Sequence, residues 1–111
     1  LRQPLAPRLQ LTGLAARVGP AGPAELRRNL EQRFRLDSLR QDWYADSHVS
    51  TRPIVRRLNG NYSYPMLALA RALDPTETEA ASRWRRLALR LARDSGDAHL
   101  VEHVQSRLGG S

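Results

Sequence analysis

The run from Asp74 to Arg93, DPTETEAASRWRRLALRLAR, constrains this chain more than any other stretch. Ala81, Trp84, Leu87, Ala88 and Leu91 recur at steps of three and four, which places them on one stripe of a helix that another apolar surface must cover. The start has two candidate signatures. Asp74 can cap the helix with Pro75 at the first helical position and Glu77 closing a capping box, and Thr76 with Glu79 repeats the pattern two residues later. Arg83, Arg86, Arg90 and Arg93 form a second stripe opposite the apolar one. They read either as a solvated face or as a secondary basic surface for phosphate or an acidic protein, because guanidinium forks suit phosphate and carboxylate groups.

The same periodicity supplies partners for that helix. Leu26, Leu30 and Phe34 are spaced by four after Pro23, and Leu36, Leu39 and Trp43 continue the pattern out of phase, so a second helix capped by Asp37 is expected. Pro53 opens a short helix with Ile54, Val55 and Leu58 inward and Asn59-Gly60 as its stop. From Pro65 a further helix aligns Met66, Leu69, Ala70 and Leu73. Ser95-Gly96 ends the axial helix, and Asp97 caps a last one that buries Leu100, Val101, Val104 and Leu108. Trp43, Trp84 and Phe34 are expected in the core, and Tyr62 and Tyr64 at the surface. Before these helices, Gly19-Pro20-Ala21-Gly22-Pro23 is a breaker cluster, and Arg8 to Thr12 alternates like a short strand. The expected fold is therefore all-α, a compact bundle of five or six short helices with an irregular N-terminal arm. Residues 1–22 form the arm or linker, 23–108 the helical domain and 109–111 a flexible tail.

A chain of 111 residues is the size of one domain. Its charge is lopsided: 18 basic residues, all of them Arg, stand against 11 acids for a net charge of +7. Eleven of the arginines lie in residues 1–60 beside five acids, so the excess sits in the first half. Such a balance favours an anionic partner, although a GC-rich genome would also enrich Arg, Ala, Leu and Gly. The absence of Cys removes thiol nucleophiles, disulfides and thiolate metal sites. No apolar run approaches the roughly 20 residues of a bilayer span, so no membrane association and a cytoplasmic location are expected. A chain that begins at Leu1 is expected to be a processed protein or a piece of a longer one.

Motifs for chemistry are scarce. His99-Leu100-Val101-Glu102-His103 has the H-x-x-E-H spacing of inverted zinc peptidases, but a third protein ligand is wanting, and the helical wheel makes the two His an exposed pair opposite the apolar side. No nucleophile elbow or phosphate-cradling Gly loop is present. No enzyme activity, cofactor or metal is expected.

The segment from Leu26 to Leu73, with ELRRNLEQRF, LDSLRQDW, a polar loop, VSTRPIVRRLNG and PMLALARAL in turn, resembles the repressor and Cro type of helix-turn-helix domain. The loop before VSTRPIVRRLNG is longer than in that family, and the helix after Asn59-Gly60 is about a turn shorter. The resemblance implies duplex DNA binding, with Ser50, Thr51 and Arg52 entering the major groove and Arg56 and Arg57 reaching bases or phosphates. A second resemblance joins ELRRNLEQRFRLDSLRQ and RLARDSGDAHLVEHVQSRL to the ends of small death-like adaptor domains attached to bacterial effector proteins. It implies binding of a like helical domain, homo-oligomerisation included, and no nucleic acid. Ion pairs from Arg52, Arg56 or Arg57 to Asp42, Asp46 or Glu77 would favour interaction over groove reading.

Overall fold

The computed structural model describes residues 22–37, 39–40, 42–45 and 52–109. Among them are five α-helices, one short 3-10 helix and no strand: α1 Gly22–Phe34, the 3-10 helix Trp43–Ala45, α2 Pro53–Gly60, α3 Ser63–Leu73, α4 Thr78–Ser95 and α5 Ala98–Gly109. The arm with its strand-like stretch, Ser50, Thr51, Asp46 and the last two residues of the tail lie outside the described residues; Gly109 closes α5 instead of opening a tail.

Helix α4 is the axis. It packs against α2, α3, α5 and the 3-10 helix, and Ala81, Trp84, Leu87, Ala88, Leu91 and Ala92 are all buried. Leu69, Met66, Ala70 and Leu73 of α3 meet it in one core with Leu26, Leu30 and Phe34 of α1 and Leu100 and Val104 of α5. Those are the stripes that the three-and-four spacing predicts. Trp43 lies against Trp84 with ring centroids 4.6 Å apart, and Phe34 meets Tyr62 edge-on at 5.2 Å. Tyr62 is accordingly half-buried, not exposed, and Arg33 stacks over its ring at 4.4 Å.

Helix α4 begins a turn later than Asp74. The Ala70 carbonyl accepts from the Asp74 N–H, and the Leu73 carbonyl from the N–H groups of Thr76 and Glu77, so residues 74–76 close the end of α3, and the cap of α4 falls to Glu77, whose carbonyl accepts the Ala81 N–H at 2.9 Å. Asp74 is an ion-pair partner instead of a cap: Arg85 donates to both of its carboxylate oxygens, and that hydrogen bonding, helped by the charge of Arg85, holds the Asp74 carboxyl below its usual value. At the other end Gly96 takes φ +77, the left-handed conformation that glycine adopts without penalty, and its N–H reaches the Arg93 carbonyl. Asp97 caps α5 through Oδ1, which accepts the Leu100 N–H at 3.1 Å.

The expected helix over Leu36 to Trp43 is not formed among the described residues. Helix α1 ends in a pair of reversed hydrogen bonds, Leu36 N–H to Glu31 carbonyl at 2.9 Å and Arg35 N–H to Gln32 carbonyl at 3.3 Å, with Arg35 at φ +53. This terminator swings Leu36 into the core. Asp37 then accepts the Leu39 N–H at its side chain and the Arg40 N–H at its carbonyl, a tight turn in place of a helix cap. Leu39 is left 94% exposed.

Candidate interaction surface

Helix α2 is built the reverse way round from its apolar pattern. Ile54, Val55 and Leu58 share one face and were expected inward; they are 68%, 36% and 55% exposed. The covered side carries Arg56, which is half-buried, and Asn59 and Gly60, which are buried. Asn59-Gly60 ends the helix as expected, and it also forms the seat of α2 on α4.

The reason is steric. A Cβ on Gly60 would lie 2.5 Å from the Ser95 Cβ and 3.3 Å from a Leu100 methyl, so at this point the backbone of α2 touches the end of α4 with no room for a side chain. The facing side of α4 is small as well, with Ala88, Ala92 and Ser95 spaced along it. The Ser63 hydroxyl, fully buried at the head of α3, donates to the Ala88 carbonyl at 2.8 Å and fixes the α2–α3 corner to the axis. A short helix seated through Arg56, Asn59 and Gly60 must turn Ile54 and Leu58, on the opposite side of the wheel, to solvent.

Arg52 precedes the first turn of α2 with its backbone extended and is exposed, as is Arg57, which lies beside Ile54 and Leu58. No ion pair among the described residues includes either. Asp42 binds Arg40 at 3.0 Å and Glu77 binds Arg27 at 3.0 Å, so neither acid neutralises α2. Of the five residues expected to read DNA, Arg52, ahead of α2, and Arg57, beside the apolar face, are exposed, Arg56 lies on the covered side with a partner of its own, and Ser50 and Thr51 are not described.

The second arginine stripe is engaged within the domain. Arg83 reaches Glu79, and Arg90 reaches Asp94 as well as the Tyr44 carbonyl at 3.3 Å. Arg86 lies over the Tyr44 ring and donates to its hydroxyl at 3.1 Å. The contacts of Arg86 and Arg90 with Tyr44 clamp the 3-10 helix to α4. Arg86 and Arg93 are both exposed without an ion pair among the described residues, and of the two only Arg86 has the contact with Tyr44.

No cluster of three or more His, Asp and Glu side chains fit to hold a metal occurs among the described residues. His99 is exposed, but His103 is half-buried with its ring 5.2 Å from that of Tyr64, so the expected exposed pair is only half realised. No helix among the described residues is long and apolar enough to cross a membrane. No family model, curated protein or solved structure matches the chain.

Proposed function

We infer that the domain is a non-enzymatic protein-interaction module that docks a partner through the outward face of α2. The observation that carries this reading is the exposure of Ile54, Val55 and Leu58 together on a helix whose polar side is covered. Single exposed apolar residues are ordinary, but three on one helix face form a contiguous patch of the kind that marks contact surfaces. Fully burying an aliphatic side chain of this size is worth about 1.5–3 kcal/mol, so Ile54 and Leu58 alone can anchor a partner before the cost of association is subtracted. Base edges, by contrast, are read by hydrogen-bonding groups, and along this face only Arg57 supplies them.

A second reading, duplex DNA binding, is favoured by exposed Arg57 of α2, by exposed Arg52 just before it, and by the +7 charge. One experiment separates the two. Amide shifts of the full chain are followed by NMR on adding either an amphipathic helical peptide or a random-sequence duplex, for the natural protein and for Ile54→Asp/Leu58→Asp. Under the interaction reading the peptide moves the α2 amides, the double variant abolishes the effect and the circular dichroism of the variant is unchanged. A duplex that binds at moderate salt through α2 and tolerates the double variant overturns that reading in favour of DNA.

A further inference from the structure

The nature of the partner can be taken one step further, resting on the reading that α2 is the docking face. That face is an apolar centre with a charged rim: Arg57 flanks Ile54 and Leu58, and Arg52 stands before the first turn. Six carboxylates of the domain are paired with other arginines, Glu31 and Glu77 with Arg27, Asp42 with Arg40, Asp74 with Arg85, Glu79 with Arg83 and Asp94 with Arg90, and none with Arg52 or Arg57. Two guanidinium groups beside an apolar stripe complement a stripe bordered by carboxylates, which they can bind with paired, charge-assisted hydrogen bonds.

We propose that the occupant of this face is an acidic amphipathic helix of a partner protein, its aliphatic side chains on Ile54, Val55 and Leu58 and its Asp or Glu residues on Arg52 and Arg57. Eight residues of helix span about 12 Å, so the partner needs roughly two or three turns in contact. Charge disfavours the other occupants. A two-fold contact between copies of this chain sets Arg52 and Arg57 against their own counterparts, between bodies that each carry +7. Residues 1–21 of the chain hold Arg2, Arg8 and Arg17 and no acid, and would bring like charge to the same rim.

The test uses the full chain and three labelled synthetic peptides of about four helical turns, each with Leu at i, i+3, i+4 and i+7 and with flanking positions all Glu, all Gln or all Lys. Binding is read by fluorescence anisotropy at low and at physiological ionic strength. The Glu peptide should bind, the Gln peptide about tenfold more weakly, and the Lys peptide not at all, with the Glu preference shrinking as salt rises. Arg52→Glu/Arg57→Glu should reverse the order of the peptides. Arg107→Glu, two turns beyond Leu100 on α5, should leave it unchanged. Equal binding of all three peptides, lost in Ile54→Asp/Leu58→Asp, overturns the acidic partner while the docking face stands. Binding of the Glu peptide that survives Ile54→Asp/Leu58→Asp removes the docking face itself. No binding of the Glu peptide at low salt, or self-association abolished by the same double variant, also overturns the proposal, the latter in favour of a second copy.

Discussion

Gly60→Ala tests the seat of α2 most directly, because its sign is opposite to what helix propensity dictates. Gly60 lies in an ordinary α-helical turn, and there Ala is normally better than Gly by about 0.8–1.0 kcal/mol. The new methyl would sit 2.5 Å from the Ser95 Cβ and 2.9 Å from its Oγ. The Leu100 methyl at 3.3 Å can swing aside, but Ser95 Cβ is fixed to the backbone of α4 and cannot. Relieving that overlap requires α2 to lift from the axis, an overpacking cost of about 1–3 kcal/mol. The expected net effect is a destabilisation of roughly 1 kcal/mol, the difference between these opposing terms. Ser95→Gly removes the obstructing atoms. It also loses the hydroxyl bond to the Ala92 carbonyl at 2.7 Å and should cost about 1–2 kcal/mol alone. In the double variant the clash is gone and the propensity gain survives, so the two changes should couple favourably by about 1–3 kcal/mol, far beyond the ~0.5 kcal/mol scatter of independent sites. Urea unfolding followed by the fluorescence of the Trp43–Trp84 pair gives all four stabilities. A Gly60→Ala protein more stable than the natural one, or two effects that simply add, would refute the close approach of α2 to α4.

Arg35→Gly should stabilise by about 1 kcal/mol, since Arg35 holds a left-handed conformation at φ +53 that glycine adopts freely; a midpoint in urea at or below that of the natural protein contradicts the terminator. Trp84→Phe and Trp84→Ala should diverge. The alanine variant should lose about 3–5 kcal/mol of core packing. The phenylalanine variant should lose less than about 1.5 kcal/mol, because the buried indole N–H has no hydrogen-bond partner among the described residues to forfeit; a loss as large as the alanine variant's would show that this N–H is satisfied. Asp74 contributes to stability with a definite sign in pH. Its folded value lies below the unfolded one, so its contribution is complete above the unfolded value of about 4 and disappears as pH falls through the folded value. Asp74→Asn should flatten that acid limb in urea titrations across the window, and an unchanged limb would remove the Arg85 pair as its cause.

The elements that the sequence made legible are those whose buried residues recur without interruption. Leu26, Leu30 and Phe34 and the Ala81 to Leu91 stripe each lie opposite a charged face, and Met66, Leu69 and Leu73 lie on a helix that is apolar nearly throughout, so each has only one way to be covered. Leu36, Leu39 and Trp43 have the same spacing and a different outcome. Two of the three are buried, which a turn about Asp37 achieves as well as a helix does, and the terminator that forces the turn rests on Arg35, a residue type with no preference for that position. Without a glycine there, nothing in the local sequence marks the end of α1.

Helix α2 shows where periodicity loses its authority. A hydrophobic stripe states that one side of a helix differs from the other; which side is covered depends on the surface it meets. The end of α4 offers Ala88, Ala92 and Ser95, a shallow strip on which close backbone approach, through Gly60 and the small Asn59, fills space better than Ile and Leu side chains would. A Gly within a helix, placed opposite an apolar pair, is the signal that could have given this orientation, because a stop at Asn59-Gly60 and a seat at Asn59-Gly60 look alike in sequence but only the seat needs the glycine at ordinary helical dihedrals. The exposed stripe is then a consequence of the fold and a stability liability for an isolated domain. Arg57 and the preceding Arg52 have no acid partner among the described residues, while both carboxylates of α4, Glu79 and Asp94, are paired with arginines of the same helix. Apolar anchors and unneutralised charge on the same short helix are two deficits that one acidic amphipathic surface would satisfy together.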